Sequence, residues 1–174
     1  ATLFIHLAEE TLQQSAFFSF AANVLRSSRL RGEERLIFML EENWIINHFH
    51  QAREIAKALR DIRCSICITR AGENSQMLPL LADLQLSYLR LSPKLTGDNN
   101  NPKILEELIA AVAGRNIKVI ATQIENSRNL SSLWMQGVRL FEGFFIQPPD
   151  AGFHLQNDII FAKELVQGNG FSSS

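Results

Sequence analysis

Short runs of aliphatic and β-branched residues alternate along the chain with stretches whose apolar positions recur at helical spacing. Residues 2–7 read as a strand and 15–28 as a helix, with Phe17, Phe20, Ala21, Val24 and Leu25 on one stripe. A second strand follows at 35–40. The next helix is predicted over 44–61, where Ile45, Phe49, Ala52, Ala56 and Leu59 share a face and Gln51, Arg53 and Arg60 lie off it. Strands at 64–70 and 87–91 flank a shorter helix at 76–83, which tolerates Pro79 only near its first turn. Gly97 to Asn101 form a loop that supplies Asn101 as an N-cap and Pro102 as the first helical residue. That helix carries Leu105, Leu108, Ile109 and Val112 inward and stops at Gly114. A strand at 117–121, a helix at 128–136 and a short strand at Leu140 and Phe141 complete the alternation. A last helix is predicted over 159–166, and residues 167–174 read as a flexible tail.

Six strands alternating with five helices through short connections indicate a parallel sheet built of βα units. A doubly wound sheet and a (βα) barrel both satisfy that pattern. No domain-sized linker divides the chain, so residues 1–166 are expected to form one domain.

Composition narrows the function classes. The 174 residues are 46% apolar with 12 Phe, which excludes a disordered chain. A net charge of −1 gives no bulk basic field for nucleic acid or an anionic membrane. No apolar run reaches the roughly 18–20 residues of a membrane span, and no signal-peptide layout opens the sequence. Cys64 and Cys67 make a C-x-x-C, but the pair falls on a predicted strand, where residues three apart face opposite ways. Two buried, inert thiols are expected, and reduced thiols fit a cytoplasmic home.

Generic chemistry is scarce. No glycine-rich phosphate loop, H-E-x-x-H or G-x-S-x-G occurs. His48 and His50 lie about 200° apart on a helix and read as solvated surface residues rather than joint metal ligands. Glu41 and Glu42 are a candidate carboxylate pair; the plainer reading is favourable charge in the first turn of the following helix.

The strand ends, in order, carry a family pattern. Residues 35–42 (R-L-I-F-M-L-E-E) resemble the L-V-L-E-I-T-E strand of the EAL family of cyclic di-GMP phosphodiesterases. Residues 65–72 lie where that family has I-A-L-D-D-F-G, and 84–92 resemble L-P-V-D-Y-I-K-I-D. Residues 118–126 are similar to V-I-A-E-G-V-E-T, and 137–148 to G-C followed by Q-G-Y-L-F-S-R-P. The Tyr88 block and the Gln147-Pro148-Pro149 ending look most like the degenerate EAL domains of FimX-type regulators of type IV pili. The resemblance implies a modified TIM (βα) barrel with its site at the C-terminal ends of the strands. Such a barrel takes about 250 residues, and six strands are counted here. The N-terminal strands, including the one that carries E-A-L-L-R, are expected to be missing, leaving sheet edges to associate.

What the resemblance implies about catalysis is negative. Family members hold two divalent metals among carboxylates and attack a phosphodiester with activated water. The family's metal-binding Asn falls at His6, its metal-binding Glu at Met39, and its paired Asp at Thr69 and Arg70. The catalytic Lys falls at Arg90, the next Asp at Ser92, the first Glu of the E-G-V-E block at Thr122, and the Gln of Q-G-Y at Glu142; only Glu125 keeps the family residue. A thioether and a guanidinium do not bind Mg²⁺ or Mn²⁺, so neither metal and no hydrolysis is expected.

Cyclic di-GMP remains as a regulatory ligand that the resemblance implies. Arg70 and Arg90 would take its phosphates, Gln123, Glu125, Phe144 and the Pro148-Pro149 wall would face its bases, and Glu142 would be a further ligand-binding residue. Alternatively, the two arginines pair internally with Glu125 and Glu142 and close the pocket. A docking role, on a PilZ-type adaptor or a second copy in a homodimer, is the other binding reading; Trp44, Trp134 and the 44–61 helix are its candidate faces. An unrelated βα enzyme using Glu41, Glu42 and His6 is the third.

Overall fold

The computed structural model describes residues 2–27, 35–97, 101–143 and 160–161. The chain begins with β1 (Thr2–His6), α1 (Glu9–Leu12), α2 (Ser15–Ser27) and β2 (Arg35–Glu41). It continues through α3 (Glu42–Asn47), α4 (Phe49–Asp61), β3 (Ser65–Ala71), α5 (Met77–Leu80) and β4 (Leu86–Leu91). Then come α6 (Pro93–Thr96), α7 (Pro102–Val112), β5 (Lys118–Ala121), α8 (Ser127–Met135), β6 (Leu140–Phe141) and β7 (Ile160–Phe161). Helices at 102–112 and 127–135 fall where the periodicity puts them. The Asn101 side chain accepts from the Lys103 N–H at 3.1 Å, ahead of Pro102.

Strand order decides between the two βα architectures. The strands lie side by side in chain order, β1 to β7, and the first six pair in parallel. A doubly wound sheet reverses its order at a switch point; this one never does. Right-handed crossovers that always step the same way put every helix on one face. The result is a half-barrel with helices outside and, among the described residues, strand side chains alone inside.

The two faces show it in their cores. The large cluster between helices and sheet holds Phe38, Leu40, Ile66, Ile68, Leu89, Leu91 and Phe141 from the strands, against Ile55, Leu59, Leu105 and Leu108 from the helices. The residues between them in sequence point the other way, as strand alternation requires. Ile37, Cys67, Tyr88, Ile120 and Leu140 form a second, smaller cluster, with Phe4 and Met39 packed on it. Phe4 and Tyr88 meet edge to face at 5.1 Å. Cys64 belongs to the outer cluster and Cys67 to the inner one, so the C-x-x-C sulfurs do diverge. Both are free and buried, and desolvation pushes the Cys67 thiol up to about 12.

Four expectations are corrected. The 44–61 helix is two helices, broken at His48, whose backbone leaves the helical region (φ −130°, ψ 41°). The His48 ring stacks on Trp44 at 4.9 Å, and its Nδ1 lies 3.1 Å from the Trp44 carbonyl oxygen. Trp44 is thereby buried at 8% exposure and presents no docking face. Phe20 is 66% exposed instead of sharing the buried stripe, because it stands about 100° around the helix from the buried Ala21, at the outer edge of that stripe. The final helix is contradicted at Ile160 and Phe161, which pair antiparallel with β6: β-branched and aromatic residues took the sheet edge that a short helix would have left open. The other residues of that expectation and the 167–174 tail lie outside the described residues.

Leu89 is fully buried in the outer cluster, whereas Leu3 is 50% exposed on β1. Leu89→Ala should lower unfolding free energy by about 2–5 kcal/mol, and Leu3→Ala by less than about 0.5 kcal/mol, in urea titrations.

Candidate functional site

Because β2 to β6 run parallel, their C-terminal ends open onto one rim. Residues continuing the inward-facing alternation reach that rim as Thr69, Arg90, Thr122 and Glu142. Arg70 and Gln123 join them through left-handed backbone, φ 56° and 53°. Bulky side chains adopt that region only when their surroundings hold them there. These six residues, with Glu73, Ser92 and Lys94, line a cavity of about 400 Å³.

Two ion-pair groups organise the cavity. Arg90 lays one guanidinium edge on Glu142, Nε to Oε2 at 3.0 Å and Nη2 to Oε1, while its Nη1 points at Met39 Sδ at 3.9 Å. Arg70 lays Nε and Nη2 on the two oxygens of Glu73, at 3.2 and 3.3 Å. Glu73 also accepts from Ser92 Oγ at 2.7 Å and Lys94 Nζ at 3.3 Å. Partial burial pushes the Glu73 carboxyl up, but hydrogen bonds from Ser92, Arg70 and Lys94 outweigh it and hold the group below its usual range. The two threonines are spent: Thr69 Oγ1 donates to the Leu40 carbonyl at 3.4 Å, and Thr122 Oγ1 to that of Leu91 at 2.9 Å.

Beneath the rim, Glu42 sets the loop after β3. It is 1% exposed, and its two carboxylate oxygens accept the backbone N–H groups of Gly72 and Asn74, both at 2.7 Å. Desolvation raises its pKa against the pull of those amides. Gly72 sits at φ 92°, where a Cβ would strike Leu95. Glu42 thus fixes the backbone on both sides of Glu73, and hence the partner of Arg70 and Lys94. Glu41 is exposed, and it lines a second cavity of about 360 Å³ with Glu42, Asn43, Arg70, Glu73 and Asn74.

Several site expectations now have positions. Thr69, Arg70, Arg90, Gln123 and Glu142 share the cavity, and Met39 touches it through Arg90. His6, in register with Met39 on β1, and the exposed Glu125 do not line it. The internal pair of Arg90 with Glu142 is present, but Arg70 pairs with Glu73 instead of Glu125 because the loop held by Glu42 carries Glu73 back over it. Phe144 and Pro148 lie outside the described residues. Glu73, Lys94 and the role of Glu42 escaped sequence reasoning. The Ser92-Pro93 pair was a usable signal, being an N-cap before a first-turn proline, and it does start α6.

The EAL domain family model matches residues 1–149. The chain belongs to the EAL domain family. No curated protein sequence matches it. Among solved structures it is similar to the FimX EAL domain from Pseudomonas aeruginosa bound to c-di-GMP, with 23% identity, TM-score 0.78, and 89% of this chain and 65% of that one covered. It is also similar to the Xanthomonas citri FimX EAL domain in complex with c-diGMP, with 18% identity, TM-score 0.74, and 89% and 63% covered. The manganese/cy-diGMP complex of Klebsiella pneumoniae BlrP1 gives 24% identity, TM-score 0.72, and 82% and 38%. This EAL chain therefore spans somewhat less than two thirds of the FimX EAL structures it matches.

Glu42→Ala removes the acceptor of two backbone N–H groups at the buried wall of the loop. It should cost about 1–3 kcal/mol of stability and selectively speed amide hydrogen exchange at Gly72 and Asn74.

Proposed function

We propose that this EAL domain is a regulatory receptor that takes up cyclic di-GMP through cationic side chains and does not hydrolyse it. The observation that carries the reading is the charge of the cavity: Arg70, Arg90 and Lys94 against Glu73 and Glu142, three cations to two carboxylates. Guanidinium groups bind phosphate through paired, charge-assisted hydrogen bonds. Three cationic side chains gathered at a parallel-strand rim suit a phosphodiester anion, with Glu41 in the adjoining cavity also acting on Arg70.

The donor set does not fit the two dications used by metal-dependent members of the family. Mg²⁺ and Mn²⁺ require carboxylate, carbonyl or water oxygens. Here the corresponding positions carry a thioether at Met39, hydroxyls already donated to backbone carbonyls at Thr69 and Thr122, and guanidinium cations at Arg70 and Arg90. The two carboxylates present, Glu73 and Glu142, are each taken by cations.

The reading extends to cytoplasmic signalling in bacterial motility or biofilm control. Its output would pass to a PilZ-type adaptor or to a second copy of the chain. Among the described residues, support for a protein contact comes from the exposed apolar side chains Leu3 on β1, Phe20 on α2 and Met135 on α8, the last beside Trp134, itself covered by Arg139 at 4.5 Å.

Calorimetric titration of cyclic di-GMP should give binding to the wild-type chain and at least about tenfold weaker binding to both Arg70→Ala and Arg90→Ala. The wild type should release no linear dinucleotide with Mg²⁺ or Mn²⁺ present. Metal-dependent turnover, or absence of binding by the folded wild type, would contradict the reading.

A further inference from the structure

We infer that Glu142 is a built-in competitor for the anion, and that a phosphodiester enters by exchanging with its carboxylate on Arg90. This rests on the receptor reading above and adds the way the site is kept closed.

The two halves of the cavity differ in what they leave open. Arg90 commits the edge formed by Nε and Nη2 to Glu142 and turns Nη1 toward the Met39 sulfur, so the edge that makes its paired contact is already occupied. Its side chain is 30% exposed and that of Glu142 23%. A guanidinium buried that far is costly without a counter-charge. Glu142 supplies that charge while the site is empty, and an incoming anion must supply it instead. Arg70 and Lys94 are 57% and 72% exposed and share the carboxylate of Glu73, with Glu41 acting on Arg70 without a direct ion pair. Glu73 is tied in addition to Ser92, which is fully buried, so it stays in place. An anion therefore lands first on the open Arg70 and Lys94 half. Exchange at Arg90 follows.

The exchange is confined to the Glu142 side chain. The Glu142 N–H donates to the Ala121 carbonyl at 2.8 Å, and its own carbonyl accepts from the Ile124 N–H at 3.0 Å. Gly143 packs so closely on the Ile124 backbone that a Cβ there would collide with it. The backbone cannot carry the carboxylate away, so a rotamer change must. Removing the competing charge also changes the cavity from three cations and two anions to three and one.

The test is calorimetric titration of cyclic di-GMP into the wild-type chain and Glu142→Gln, with thermal melts to verify folding. Glu142→Asp is the second variant; it keeps the charge but is too short to hold the same paired contact. Glu142→Gln should bind about tenfold more tightly and lose affinity more steeply with added salt. Glu142→Asp should move in the same direction by less. Tighter binding by the variants, or binding by them alone, supports the exchange. Equal or weaker binding by both folded variants, with the wild type binding, overturns the exchange and leaves the receptor reading standing. Binding by none of the three overturns both.

Discussion

Everything at the rim depends on one constraint, which is parallel pairing of successive strands in chain order. It turns the two-residue period of each strand into a partition between a helix-packed outside and an inside made of strand residues only. It also brings every strand's C-terminal end to the same side. Arg90, Thr122 and Glu142, far apart in sequence, become neighbours for that reason alone. The cavity is a consequence of register: Arg90 stands opposite Ile120 on β5, and Ile120 opposite Leu140 on β6. Two residues past Leu140, just beyond the end of β6, Glu142 comes within reach of Arg90.

On that frame, charge compensation does the remaining shaping. Each guanidinium at the rim has a carboxylate, and each carboxylate is held by more than one donor. Glu73 is the clearest case, with Arg70, Lys94 and Ser92 on it, and its position is set from below by the buried Glu42. The left-handed turn at Arg70 is part of the same device, since it swings the side chain off the strand line and over the following loop. The outcome is a cationic pocket whose charges are already partnered before any ligand arrives.

Much of this was legible in the sequence. The first six strands, the Asn101-Pro102 helix start and the divergence of Cys64 and Cys67 follow from periodicity and caps. The ordered strand-end blocks carried the family, and with it the positions of Arg70, Arg90, Thr122 and Glu142. What escaped were features fixed by tertiary contact. The break at His48 leaves no Pro or Gly to read; it is visible only once the ring stacks on Trp44. Glu42 looks like an ordinary first-turn acid until the loop carrying Gly72 and Asn74 folds over it. Glu125 and Glu142 are the rim carboxylates that the strand ends offer to the two arginines, yet the left-handed turn at Arg70 brings in Glu73 from three residues away. Local pattern reaches the elements; the pairing of charges depends on how loops return.

The central claim is recognition of a phosphodiester by side-chain cations without metal. The most direct measurement is equilibrium dialysis of cyclic di-GMP against the folded chain in EDTA and, separately, in excess Mg²⁺. The account predicts the same affinity in both. Binding that appears only with Mg²⁺ would contradict it.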